Sequence, residues 1–159
     1  MKHRILFFVF LLCCCACNNF PKDPSGTLEQ ASGGTLLVGY SENPPWVVET
    51  DSVPAGIEPA LVKAFAATLG AKVEWRKDSQ QNLFEDLEMH KIHLVVAGIT
   101  NDTPWKKRVA LTRPYLKQGK QKHVMAAMQG ENAFIVRLEK FLYKREQQLA
   151  DQLTHEGTE

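Results

Sequence analysis

The sequence predicts an α/β domain with a mostly parallel sheet flanked by helices. Three observations predict it. Short apolar runs at residues 35–41 and 92–97 and an alternating stretch at 71–76 have the length of strands. Amphipathic stretches at 56–70 and 81–91 separate them at helical spacing. The resulting β-α-β-α-β order favours parallel pairing with crossover helices.

The N-terminus precedes that domain. Lys2, His3 and Arg4 form a basic start, and residues 5–12 form an apolar run too short to span a bilayer. Cys13, Cys14, Cys15, Ala16 and Cys17 follow. Small residues before a cysteine resemble a bacterial lipobox, so residues 1–17 are expected to be a lipoprotein signal peptide with Cys17 lipidated. Cys14 stands where a lipobox usually carries Leu, and Cys15 is the alternative acceptor. All four cysteines fall in this stretch, which leaves no disulfide framework and no metal-ligand spacing. Cleavage would leave 17 basic side chains against 18 acidic ones, a balance of −1. No strong net field points to nucleic acid. Residues 18–34, rich in Asn, Pro, Ser and Gly, are expected to be a flexible tether reaching on the order of 20 Å.

Residues 35–41 are the first strand. Glu42, Asn43, Pro44, Pro45 and Trp46 form a proline-stiffened loop. Trp46 is either a packing residue or an exposed aromatic platform, and its rigid loop favours the platform. Pro59 opens the first helix, whose apolar positions are Ile57, Leu61, Phe65 and Leu69; Gly70 closes it. The second helix turns Leu83, Phe84 and Leu87 inward. Its acids Glu85, Asp86 and Glu88 are expected in solvent. Residues 92–97 read as a strand buried on both faces. That strand stops at Gly98, and ligands of open α/β sheets bind beyond such carboxyl ends.

The runs TLLVGYSENPPW (35–46), GIEPALVKAFAATLGAKVEW (56–75), LFEDLEMHKIHLVVAGIT (83–100) and VALTRPY (109–115) together resemble the first lobe of the family 3 extracellular solute-binding proteins of ABC importers. The resemblance implies a periplasmic-binding-protein-like lobe whose ligand cleft lies between the loops after the first and third strands. It implies that Trp46 stacks on a ligand, that Gly98, Ile99 and Thr100 supply hydrogen bonds, and that Ser41 and Glu42 border the cleft. Where the family usually carries a carboxylate-binding Arg, this chain has Trp105, which the resemblance would place at the ligand. An Arg forms a bidentate fork that the nearby Lys106 and Lys107 cannot reproduce.

A complete member crosses into a second lobe after the segment matching Pro114 and Tyr115. Here residues 116–128 read as strand, Gly-containing turn and strand, a β-hairpin in place of that lobe. Residues 132–153 resemble the family's closing helix, with Asn132 able to cap it. The expected single-lobe domain therefore covers 35–154, and residues 155–159 form a disordered tail.

Two functions follow from the resemblance. One is a lipid-anchored, extracytoplasmic solute-binding protein on the periplasmic side of a bacterial membrane, serving import or sensing. Its partners would be a small solute and an ABC permease. The alternative is an interaction protein that kept the fold and lost its ligand, with self-association through the open cleft face. No nucleic acid, cofactor or metal is implied. His90 and His93 do not share a helical face, and no nucleophile with a base forms a known motif. Some lytic transglycosylases carry a similar domain, but the sequence matches no catalytic domain, so the chain is not expected to be an enzyme.

Overall fold

The computed structural model describes residues 21–156. The apolar run, the cysteines and the expected lipidation site at Cys17 lie outside them. A short helix α1 (Thr27–Ala31) leads into β1 (Thr35–Tyr40). Helix α2 (Ile57–Leu69), β2 (Lys72–Lys77), α3 (Gln80–Glu88) and β3 (Leu94–Val96) follow. A 3-10 turn (Pro104–Lys107) precedes β4 (Ala110–Leu111), β5 (Leu116–Gln118), β6 (Gln121–His123), β7 (Ala126–Ala127) and the long helix α4 (Asn132–Glu156).

The main sheet has the order β2-β1-β3-β7-β4. β1 pairs in parallel with β2 and with β3, while β7 runs antiparallel to β3 and β4. The sheet is thus mixed, because β7 enters it from the returning arm of the hairpin. The expected hairpin is β5 and β6, joined through Gly119 and Lys120. Gly119 takes φ +59° at the first turn position, which suits a tight hairpin loop. The residues read as one returning strand divide here: 121–123 pair in the hairpin, and 126–127 in the main sheet.

Both faces of the sheet are covered. Leu94 and Val96 join one cluster with Leu36, Val38, Val62, Phe65, Phe134 and Leu138. Val95 and Ala97 join the other with Leu83, Phe84, Leu87 and Ile92. This alternation is the continuous apolar run of β3 seen from each side in turn. Each fully buried Phe contributes about 1.5–3 kcal/mol of transfer free energy. Pro59 occupies the third position of α2, within the first turn whose N–H groups lack helical partners.

Three expectations are corrected. Residues 23–31 are not tether: they fold onto the start of α4. The Asp23 carboxylate accepts from the N–H groups of Ala133 at 2.6 Å and Phe134 at 3.1 Å, and from Leu28 at 3.0 Å. That remote carboxylate caps α4, a role assigned above to Asn132. Glu131 in return accepts from the N–H groups of Ser25 at 2.9 Å and Thr27 at 3.0 Å. The closing helix also continues to Glu156, two residues into the expected tail. Finally, Asp86 is buried. It pairs with Arg76 at 3.0 Å and Lys91 at 3.2 Å, so its charge is compensated.

Candidate functional site

The carboxyl ends of β1 and β3 lie side by side, as their pairing of Tyr40 with Val96 requires. The loop after β1 folds over the end of β3. Ser41 donates its N–H to the Val96 carbonyl at 3.3 Å, and the Asn43 amide donates to the Ala97 carbonyl at 3.0 Å. The Pro44–Pro45 peptide is cis. The first N–H groups of α2 reach back to this loop, from Ile57 to the Pro45 carbonyl and from Glu58 to the Trp46 carbonyl. The floor of the site is Gly98, at φ +61°. A Cβ there would come within 2.7 Å of the Trp46 indole. Only glycine meets both demands, the left-handed backbone and the close approach.

Beneath the floor lies Glu58, fully buried. One carboxyl oxygen accepts from the Gly98 N–H at 2.9 Å, the other from the Tyr115 hydroxyl at 2.6 Å. Burial pushes this carboxyl up to about 7, against the hydrogen bonds from Gly98, Tyr115 and Ala97 that pull it down. Burial and the Glu58 charge push the Tyr115 phenol well above its usual range, so it stays a donor. One carboxyl thus ties the first turn of α2 to the floor and to the segment that enters the hairpin.

Trp46 is not an exposed platform; it is 6% exposed. Its indole stacks on the His123 imidazole, with centroids 3.7 Å apart at 25°, and meets Tyr115 edge-on at 6.3 Å. The reason is tertiary: β6 brings an aromatic partner to the ring. His123 is 2% exposed, and neither ring nitrogen makes an aligned hydrogen bond among the described residues. Burial pushes its pKa down, partly offset by the Gly98 carbonyl.

The other expected residues divide. Ser41 and Thr100 are half-buried at the floor's rim, and Glu42 is exposed beside it. Thr100 bridges to His123 in the sheet sense, and its hydroxyl is bonded to Asp102. The Ile99 side chain is buried in the second cluster, and its carbonyl accepts from Val124. Trp105 does not join the floor. It stacks on Phe84 at 5.1 Å and 15°, with the Arg108 guanidinium 4.7 Å above it. Arg108 is itself committed to a two-armed pair with Glu88. The histidines also separate: His93 Nδ1 accepts from the Leu37 N–H at 3.2 Å, while His90 Nδ1 meets the Ser25 hydroxyl at 2.9 Å.

Sequence reasoning missed Glu58, Tyr115, His123 and Asn43. Glu58 did leave a signal. With Leu61, Val62 and Phe65 it occupies positions i, i+3, i+4 and i+7, so it sits on the buried stripe of α2. A separate groove of about 830 Å³ runs between α4 and the segment 113–117, lined by Arg113, Lys117, Val136, Lys140 and Tyr143. It shares only Tyr115 with the floor cluster.

A profile of the bacterial extracellular solute-binding proteins, family 3, matches residues 36–158. The chain belongs to that family. Among solved structures, this family member is similar to the arginine-bound form of domain 1 from TmArgBP, the arginine-binding protein of T. maritima. The identity is 26% and the TM-score 0.67, over 73% of this chain and 97% of that one. The ancestral cationic amino acid solute-binding protein AncCDT-1 matches with a TM-score of 0.70 over 83% of this chain and 99% of that one. At 15% identity that likeness shows the fold alone. Among curated proteins, membrane-bound lytic murein transglycosylase F of Haemophilus influenzae (strain PittEE) is 38% identical over 69 residues, 43% of this chain. Its counterpart from Actinobacillus succinogenes is 32% identical over 77 residues, 47% of this chain. The chain spans only 14% and 16% of the length of these two relatives. The fold is that of a single lobe resembling an isolated domain 1, with a hairpin after Tyr115. Among the described residues no helix is long and apolar enough to cross a membrane.

Proposed function

We propose that this chain is a membrane-anchored extracytoplasmic module that holds a small solute in an open half-cleft, for an ABC importer or a sensing system. The observation that carries the reading is the likeness to domain 1 of TmArgBP, a lone lobe described as arginine-bound. It supports solute binding without a second wall. The floor around Gly98 is built for a close contact, with its φ and its neighbours held by Glu58 and Asn43. The solute class is narrowed by charge. Arg108 is spent on Glu88, so a ligand carboxylate would meet the point charges of Lys106 and Lys107 in place of an Arg fork. The anchor is Cys17. A fatty-acid label should enter the full chain and not its Cys17→Ser variant, unless Cys15 is the acceptor.

One observation favours a second reading, an interaction protein without a solute. The Trp46 ring expected to stack on a ligand already stacks on His123. A thermal-shift panel separates the two readings. Arginine, glutamine, other amino acids, small acids, amines and sugars are added in large excess. A binder at a hundredfold excess over its dissociation constant stabilises by about 2.7 kcal/mol. No stabilisation by any member at millimolar concentration would remove the solute-binding reading.

A further inference from the structure

The face that carries the floor is electrically divided. On one flank, residues 41–56 hold Glu42, Glu49 and Asp51 and no Lys or Arg. On the other, the β5–β6 ribbon holds Lys117, Lys120 and Lys122 and no acid. All six side chains are exposed. Lys117 stands directly opposite Lys122 in the ribbon register. Like charges so placed repel, and a nearby anion would relieve them. Among the described residues none of the three lysines has an ion pair. Of the acids, Glu49 alone is paired, with Lys77 at 2.5 Å in an exposed contact of the kind that contributes little.

The flanks belong to the same end of the molecule. The Trp46–His123 stack joins the acidic loop to the base of the ribbon, and the Asn101 N–H bonds the Lys122 carbonyl at 3.0 Å. From these observations we infer that this end docks a second copy of the chain. A two-fold axis lying between the flanks sets the acidic loop of each copy against the lysine ribbon of the other. The match is three charges to three, made twice. Pro44, Pro45 and Val53, exposed on the acidic flank, add apolar surface that the contact can cover. The second copy would thereby wall the open half-cleft.

The observations favour a copy over an anionic lipid surface. Residues 21–25 enter the fold beside the start of α4, with the Asn132 N–H on the Lys22 carbonyl at 3.0 Å. α4 follows β7, whose Ala127 pairs with Leu94 at the amino end of β3. The ribbon adjoins the opposite, carboxyl end. A membrane reached through the N-terminus lies at the wrong end for the lysines.

The inference does not depend on solute binding, and its test uses no solute. The full chain is kept in excess non-ionic detergent micelles and its mass is read by native mass spectrometry. The wild type should dimerise at an ionic strength of about 0.05 M and be monomeric at about 1 M, where screening reaches within about 3 Å. Reversing the ribbon (Lys117→Glu, Lys120→Glu, Lys122→Glu) should weaken the dimer more than about tenfold. Reversing the loop (Glu42→Lys, Glu49→Lys, Asp51→Lys) should do the same. Mixed one to one, the two reversed variants should pair with each other, because one then carries acids on both flanks and the other lysines on both. Pairing should also return in the chain carrying all six reversals, whose flanks are again complementary. Circular dichroism checks that each variant folds, and neutralised versions (Lys→Gln, Glu→Gln, Asp→Asn) replace any that does not. A wild type that stays monomeric at low salt overturns the inference. So does a dimer indifferent to salt and to reversal, or a six-fold reversal that fails to restore pairing. A monomer that binds phosphatidylglycerol vesicles through the ribbon lysines would assign the surface to lipid and overturn it as well.

Discussion

Replacing Glu58 with Gln tests whether the buried carboxyl governs stability through its proton. Its folded pKa is raised from 4.5 to about 7. The folded state therefore holds this proton more tightly than the unfolded chain does. The stabilisation is fully present below about pH 4.5 and is lost as pH rises through about 7. A shift of this size corresponds to about 3 kcal/mol. Glutamine imitates the protonated carboxyl: one oxygen accepts from Gly98, and the amide can donate to the Tyr115 oxygen. Glu58→Gln should match the wild type to within about 1 kcal/mol at pH 4.5. By pH 8.5 it should be more stable by about 3 kcal/mol, a melting difference of roughly 10 °C. Urea unfolding at a series of pH values measures both curves. His93 and His123, whose pKa values burial lowers, give the opposite slope below 6.5, but they are common to both proteins and cancel in the difference. A variant whose curve runs parallel to the wild type from pH 4.5 to 8.5 would refute the reasoning.

Gly98→Ala should cost about 2–4 kcal/mol in urea unfolding, since its Cβ meets Trp46 and the backbone is left-handed; any solute that stabilises the wild type should bind it poorly. Asp23→Ala should cost about 1–2 kcal/mol and speed amide exchange at Ala133 and Phe134, which lose their acceptor. His123→Phe keeps the stack on Trp46 and removes two buried nitrogens without aligned partners, so it should be stabilising by about 1 kcal/mol at pH 7.5. Its advantage should grow as pH falls below 6.5, because the imidazole must then charge on unfolding, and urea curves at pH 7.5 and 5 check both points.

The contrast between Trp46 and Trp105 shows where sequence reading succeeded and failed. The family resemblance places both at a ligand. Trp46 does reach the floor, but as a packed ring on His123. Trp105 belongs to the cluster beneath α3, because the 3-10 turn from Thr103 points it at Phe84. Spacing along one segment says which element carries a side chain. It does not say which remote ring will stack on it. Asp23 and Glu131 make the same point, since their bonds span more than a hundred residues of chain.

By itself the sequence determined the strand and helix order over residues 35–97 and the hairpin after Tyr115, while the lobe came from the resemblance of its motifs to a family. The order and the hairpin follow from local periodicity and from glycine and proline, which act within a few residues. The floor at Gly98 was also legible, as the polar end of a strand buried on both faces. Only the tertiary structure decided what holds that floor. Glu58 reads locally as an ordinary first-turn acid. It becomes a buried carboxyl with a proton to exchange only when α2, β3 and the approach to the hairpin close around it, because burial and hydrogen-bond partners belong to the assembled fold.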